Sequence, residues 1–582
     1  MTAILLVAAL IVDVTLLFVA ASTAGFSGRF GPLRVRLHDP STLLVLTALV
    51  AGTLVAVTWR GRARGWALAS VVLAVTTAGV ALTREAQWIF PLGDTAVLEM
   101  YVRDALAGRL VVGPYSRFGW HHPGPIYFYV IAPLYRFGGG HANALSVGAA
   151  FVTISSIALL AWAAARSLGS RSSAAILASV ALYLWRIPDL ATSAWNPHVV
   201  VLPTLVLIVA AAAMAGGDLV MAPLSVGLAS FIVQTDVALV PLAATMVAAS
   251  AAGCLVRTWH SERLATRRWF KGAAWLAAAV WLVPVSEEIA HTPGNMTLLW
   301  RFFVNGAGQG QNVGTAAIAW ASMLSSPLTR SLSLATGGTF EASSAGVAIV
   351  LALGQLIAVG GVLVWARRSH PALSRLAAAG VLTSLVALWS ATRIVDHIMD
   401  HELFWLGGIG ALNLGIVLAA MVAAPVSREA RQASLDGPLA ALVHGALIAI
   451  VVSVCCDQLN RAREGHLPVT LGSPAASRFS DSIRRYVDEQ RVNKPLVRIG
   501  QDVWGLAAGA LLELDRAGVP FAVERSWMPM FPASFGESGE EDAELVFGNY
   551  DEHLRQMERP GSVFVTSTAT VYVDGTPVAG RH

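Results

Sequence analysis

Charge is scarce in this sequence. Only 13% of its 582 residues are Asp, Glu, Lys or Arg, against about 25% in soluble domains. That deficit, with 55% hydrophobic residues and a mean hydropathy of +0.62, excludes an ordinary soluble chain and points to a polytopic membrane protein. Lysine is nearly missing, found only at Lys271 and Lys494. Arginine carries the positive charge, and a net charge of +4 spread over short loops is a topology signal, so no nucleic-acid partner is expected. Only three cysteines occur, Cys254, Cys455 and Cys456. One lies in an apolar run and two are adjacent, which excludes a disulfide framework and zinc-type spacing. They read as small apolar residues of membrane helices. The first apolar segment lacks a basic leader and a clean cleavage site, so it is expected to be a retained helix.

What is present is a series of apolar runs of about 17–25 residues, the length that spans a bilayer as helix. Roughly thirteen are expected: 2–22, 42–58, 66–84, 144–165, 173–186, 199–215, 220–235, 237–256, 272–285, 345–366, 374–392, 402–424 and 437–457. The run 125–138, about 14 residues, is too short to cross and reads as a juxtamembrane or re-entrant helix. With that run held on one side, the basic loops share a face: Arg60, Arg62 and Arg64; Arg166 and Arg171; Arg257, Arg263, Arg267, Arg268 and Lys271; Arg367, Arg368 and Arg375; Arg428 and Arg431. That face is expected to be cytoplasmic, with the N-terminus. Arg29, Arg34 and Arg36, in loop 24–41, oppose this assignment and are outnumbered. Loops 85–143, 187–198, 286–344 and 393–401 and the tail from 458 then lie outside, at the plasma membrane's extracytoplasmic face.

The tail 458–582 changes character. Residues 477–490 and 503–517 read as helices, and 496–500, 519–524, 562–567 and 570–573 as strands, the last closed by Asp574-Gly575. This is a small extracytoplasmic α/β domain. The expected organisation is two additional N-terminal helices (1–65), a transmembrane catalytic domain (66–457) with first external loop 85–143, and the soluble domain 458–582.

The polar residues of chemical interest gather in the outer loops. Asp94 follows Gly93 after a membrane-length helix. A carboxylate there can serve as general base for an acceptor hydroxyl, or simply end a helix. Glu99, Arg103, Asp104 and Arg109 then alternate with Val97, Leu98, Tyr101 and Val102, the pattern of an amphipathic helix lying on the membrane. Arg117, His121 and His122 precede Pro123-Gly124-Pro125; arginine and histidine can hold a phosphate by charge-assisted hydrogen bonds, or anchor at the interface. Asn196-Pro197 suits a helix start, and His198 beside it can face an anion. Glu99 and Asp236 are further acceptor-side or secondary acid candidates, Asp236 alternatively a helix cap, and Glu287 and Glu288 are secondary acids or a solvated loop. Arg393 belongs to a cluster with Asp396, His397, Asp400, His401 and Glu402, where polar groups at that depth face a cavity, and is the preferred second phosphate contact. A divalent metal on His397 and His401, four apart, is one reading of that cluster; no metal site and no certain cofactor are assigned. Trp504 and Trp527 are candidates for an acceptor glycan or for the core.

Gly93-Asp94, the stretch 95–110, the run HHPGPIYFYVIAPLYRFGG and Ala165–Arg171 between two apolar helices resemble the GT-C superfamily of polytopic glycosyltransferases. The nearest resemblance is to the protein-O-mannosyltransferase and aminoarabinose-transferase type, which uses a polyprenyl-phosphate-linked sugar. It covers residues 66–300 at motif level. It implies sugar transfer from a lipid phosphate to a glycan, lipid or protein acceptor of the cell envelope, with Asp94 as the family's acid in the first external loop. Membrane lipids are the remaining partners. His121-His122-Pro123-Gly124-Pro125 departs from the family's Lys-Pro-Pro type run. Two other readings compete: a lipid or solute transporter, which would carry mid-helix charges and broken helices, and a non-catalytic scaffold displaying 458–582.

Overall fold

In a computed structural model of the chain, residues 2–22, 26–30, 33–37, 40–59, 63–305, 310–330, 332–342, 344–423, 438–468 and 472–577 are described, 26–30 and 33–37 by backbone alone. Arg60, Arg62, Arg428 and Arg431 lie outside them, as do residues 424 and 437 of the expected spans. The apolar runs fold as helices because, without water, each backbone N–H and C=O must find its partner within the segment. In chain order the helices are α1 (Thr2–Ser22), α2 (Ser41–Thr58), α3 (Ala63–Arg84), α4 (Gly93–Leu106), α5 (Ile126–Phe137), α6 (Ala142–Leu168), α7 (Ser170–Arg186), α8 (Asn196–Val199), α9 (Val201–Met214) and α10 (Met221–Thr235). They continue with α11 (Val240–Thr258), α12 (Arg263–Ala290), α13 (Asn295–Asn305), α14 (Val313–Ser325), α15 (Ala345–Ser369), α16 (Pro371–Ala391), α17 (Trp405–Ala423) and α18 (Pro438–Arg463). Eleven helices among the described residues are long and apolar enough to cross a bilayer. The chain is a multi-pass helical membrane protein.

All thirteen apolar runs are helical where described. Two of them, α7 and α10, have only 17 and 15 residues, which is why the count by length is smaller. The run 125–138 forms α5, 12 residues or about 18 Å, well short of the hydrocarbon thickness. Within the expected loops, α13 and α14 are additional helices, and β1 (Phe26–Phe30) pairs antiparallel with β2 (Leu33–Leu37).

The two ends of the bundle differ in chemistry. At one end Arg166 pairs with Asp218 at 2.6 Å, Arg375 donates to the Ala212 carbonyl, and Arg64 stands over Trp59. At the other end the segment after α3 meets the C-terminal α/β domain, where Pro91 pairs with Gly472 and the Ser473 N–H donates to the Phe90 carbonyl.

That domain comprises α19 (Pro474–Gln490), β3 (Pro495–Ile499), α20 (Trp504–Arg516), β4 (Ala522–Val523), β5 (Ala543–Gly548), α21 (Tyr550–Met557), β6 (Val563–Ser567) and β7 (Tyr572–Pro577). Its sheet runs β4-β3-β5-β7-β6, with β3 parallel to β4 and β5, and β7 antiparallel to β5 and β6. The central strand β5 was not among the expected strands, although Ala543, Leu545 and Phe547 alternate inward. β7 runs through Asp574-Gly575, where a turn was expected.

The placement of α4 differs from the expected one. Its apolar residues Val97, Leu98, Tyr101 and Val102 lie in one cluster with Tyr127 and Phe128 of α5 and with Ile499, Leu511 and Phe547 of the soluble domain. The face that suits a membrane surface is covered by protein. Helix α20 reaches it through glycine: a Cβ on Gly509 would stand 2.6 Å from the Pro91 carbonyl oxygen. Glu99, 0% exposed, accepts from Arg516 at 2.6 and 2.9 Å and from the Tyr135 hydroxyl at 2.8 Å. Arg103 pairs with Asp515 one residue earlier.

Removing one partner of such a buried pair costs about 3–5 kcal/mol. Arg516→Ala is therefore expected to lower the melting temperature of the purified protein markedly. Glu99→Gln combined with Arg516→Met should melt well above Arg516→Ala, because the fully buried Glu99 charge is removed together with its partner; only the less buried Glu513 loses an ion pair.

Candidate active site

The site is assembled from the turn that precedes α4 and the loop that follows it. Gly93 adopts φ +52°, a left-handed conformation that glycine tolerates at no steric cost. It also lies against an indole, since a Cβ there would be 3.3 Å from Trp504 Cη2. The turn sets Asp94 in the first turn of α4, where unpaired N–H groups and the helix dipole favour an anion.

Residues 113–122 fold back as a hairpin. The Gly113 N–H donates to the His122 carbonyl, the His122 N–H to Pro114, and the Ser116 N–H to Trp120. A Cβ on Gly113 would stand 2.7 Å from three carbonyl oxygens, those of Gln234, Gly124 and His122, so the hairpin seats against α10 only through glycine. This fold-back carries the Tyr115 hydroxyl to Asp94, to which it donates a hydrogen bond. Burial raises the Asp94 pKa above the usual carboxylate value, opposed by the Tyr115 hydrogen bond and by the charge of His401. Burial and the Asp94 charge raise the Tyr115 pKa well above a free phenol's, so the phenol keeps its proton.

His122 is a neutral ring. Its Nδ1 accepts the Val237 N–H at 2.9 Å, which leaves the proton on Nε2. Burial holds its pKa down to about 3. It therefore offers a fixed N–H donor, with the Asn196 side-chain amide 3.4 Å from Nε2.

These groups open onto one cavity of about 820 Å³. Asp94, Tyr115, Arg117, His122, Asp236, Arg393, His401 and Glu402 contribute its polar wall. Phe118, Trp120, Trp281, Trp300, Phe302 and Phe303 contribute an aromatic one, and Trp504 of the soluble domain completes it beside Asp94. Arg117 lies 3.4 Å from Glu402 and over the Phe118 ring. Arg393 makes no ion pair among the described residues. Asp236 caps the turn into α11 by accepting the Ala238 N–H at 3.0 Å, and burial raises its pKa to about 6. The cavity thus holds cations, neutral donors and three carboxyls raised by burial, Asp94, Asp236 and Glu402, against an apolar wall.

Of the residues singled out in the sequence, Asp94, Arg117, His122, Asp236, Arg393, His401, Glu402 and Trp504 come together here. The remaining candidates make other contacts. His121 turns away toward Tyr101, and burial lowers its pKa to about 4. His198 pairs with the Ser193 hydroxyl at 2.7 Å and packs between Trp195 and Phe404. Glu99 is held by Arg516. Glu287 accepts the Asn295 N–H at 3.0 Å, while Asn295 clamps the His121 backbone through its Oδ1 and Nδ2. Glu288 accepts from Thr297. His397 pairs with Asp396 at 3.1 Å, whereas His401 lies against Trp195, so the two do not face one ligand. Tyr115 was not anticipated. Its signal is the Gly113-Pro114 and Gly119 pair that marks a reversal between Asp94 and His122.

No family model and no curated protein matches the chain. Among solved structures, the chain is similar to the crystal structure of ArnT from Cupriavidus metallidurans bound to undecaprenyl phosphate. The TM-score is 0.47 and the sequence identity 11%, over 89% of this chain and 99% of that one. It is similar also to the crystal structure of the same protein in the apo state, with TM-score 0.44 and 12% identity, over 88% of this chain and 98% of that one.

Proposed function

We propose that the chain is a membrane glycosyltransferase that moves a sugar from a polyprenyl-phosphate donor to an acceptor of the cell envelope, at the extracytoplasmic face. The observation that carries this reading is the single cavity in which Asp94, Arg117, His122 and Arg393 face an aromatic wall. Such a cavity suits an amphipathic ligand with an anionic centre: isoprenoid against the aromatic rings, phosphate among the donors. The motif resemblance of residues 66–300 to GT-C enzymes implies the same chemistry.

In this mechanism Asp94 takes the proton of an acceptor hydroxyl as its oxygen bonds to the anomeric carbon. The bond from that carbon to the phosphate oxygen breaks, and its electron pair leaves with the lipid phosphate. Arg393, Arg117 and the Nε2–H of His122 stabilise the charge that grows there, which is where preorganised donors act most strongly. Attack from the side opposite the phosphate inverts the anomeric configuration. Tyr115 holds Asp94 toward the cavity and favours its ionised form.

General-base catalysis contributes about 10²–10⁴-fold. Asp94→Asn is expected to lose activity by that order with a polyprenyl-phosphate sugar while still binding the donor; undiminished transfer would remove Asp94 from the role. The pH profile gives a second check. A base works only when ionised, so activity should be present above the Asp94 pKa and fall as pH drops through it. Tyr115→Phe removes a contact that lowers that pKa, so its acid limb should shift to higher pH; an unmoved limb argues against this pairing. Orientation is tested by labelling. Ser534→Cys, exposed on the soluble domain, should react with a membrane-impermeant maleimide in intact cells, with the buried native cysteines silent. Labelling only after lysis would put the domain in the cytoplasm.

A further inference from the structure

Part of the wall beside Asp94 comes from the C-terminal domain. Trp504 opens α20 of the soluble domain, is half-buried, and lines the same cavity as Asp94. Its indole lies against Gly93, the residue before Asp94. Trp527 backs it at 6.4 Å with the two rings 25° from parallel. Trp527 is itself fixed, its Nε1–H donating to the Ile499 carbonyl at 2.6 Å. Gln501 and Asp502, just before Trp504, are exposed.

We infer that Trp504 is a stacking platform for a sugar ring of the acceptor, so that the acceptor is a saccharide and the soluble domain supplies part of its subsite. This rests on the transferase reading for the word acceptor. Arg117 lies in the hairpin 113–122, Arg393 in the turn after α16, and the aromatic rings on α13; the lipid phosphate is assigned to these groups. Trp504 comes from the aqueous domain and borders the base that must meet the acceptor hydroxyl. A sugar offers a face of C–H groups to an indole and hydroxyls at its rim, and a ring immobilised before binding loses little entropy when the ligand arrives.

The test uses the full chain in nanodiscs, with methyl β-D-glucopyranoside, methyl α-D-mannopyranoside and methyl α-D-arabinofuranoside as probes in saturation-transfer NMR. At least one probe should receive saturation at its ring C–H protons from wild type and from Asp94→Asn. Trp504→Ala should lose the signal and Trp504→Phe should keep part of it. In transfer assays, Trp504→Ala should raise the acceptor KM about tenfold, with a smaller effect on kcat. The inference is overturned if no probe binds wild type, or if Trp504→Ala binds and turns over like wild type. Trp504-dependent binding without any transfer counts against the transferase reading and leaves the subsite standing. Transfer with an unchanged acceptor KM in Trp504→Ala does the reverse. Trp504→Phe, which keeps the ring volume, guards against a variant that fails to fold.

Discussion

Arg516 reaches out of the soluble domain into a space that holds a fully buried carboxylate, and much of the molecule's outer end depends on that contact. Glu99 sits on α4 five residues after Asp94. Its charge is tolerable only because the guanidinium and the Tyr135 hydroxyl surround it. The pair is a poor source of net stability, since desolvation offsets most of the attraction. What it supplies is position. Only one seating of α20 on α4 brings Arg516 to Glu99 and Arg103 to Asp515, and the glycine face of α20 lets that seating be close. The same seating places Trp504 on Gly93. Asp94 is thus held between the C-terminal α/β domain and the helical bundle.

Around Asp94 the polar groups are arranged to keep most of the ionisable rings neutral. His122 is a donor fixed by the Val237 N–H, Tyr115 keeps its proton, and burial raises the carboxyls of both Asp94 and Asp236. In a poorly hydrated cavity a full charge without a partner is costly, whereas an oriented neutral donor is cheap and still favours an anion. Permanent positive charge enters through Arg117 and Arg393. Arg117 is already near Glu402, and Arg393 has no carboxylate partner among the described residues. An anion brought in by a ligand would complete the electrostatics that the chain itself leaves open.

The helical architecture was legible because its signal is redundant: an apolar run of membrane length admits one backbone solution, and α5 could be kept from crossing by length alone. The position of α4 was not legible. Val97, Leu98, Tyr101 and Val102 make a stripe that suits a lipid surface and a protein surface equally, and the partner that covers it lies some four hundred residues later in the chain. The histidines show the same limit. His121 and His122 are adjacent in sequence, yet the backbone turns one toward Tyr101 and the other into the cavity. Residue type marked both as anion ligands; only the hairpin separates them. Tyr115 has no periodic or compositional signal of its own, and its partnership with Asp94 exists because Gly113 permits three carbonyl oxygens to crowd one Cα.

The division of labour between the two halves follows from solvent. Aromatic rings such as Phe302 and Phe303 give the cavity an apolar wall on the side of α13. The soluble domain cannot contribute there without burying polar backbone in hydrocarbon. Its contribution is confined to the aqueous rim, and it makes that contribution through one helix start, α20. A ligand with a hydrocarbon tail can approach through the first surface, and a hydrated one along the second. Asp94 stands beside the C-terminal domain because Gly93, the first residue of α4, lies against the Trp504 indole.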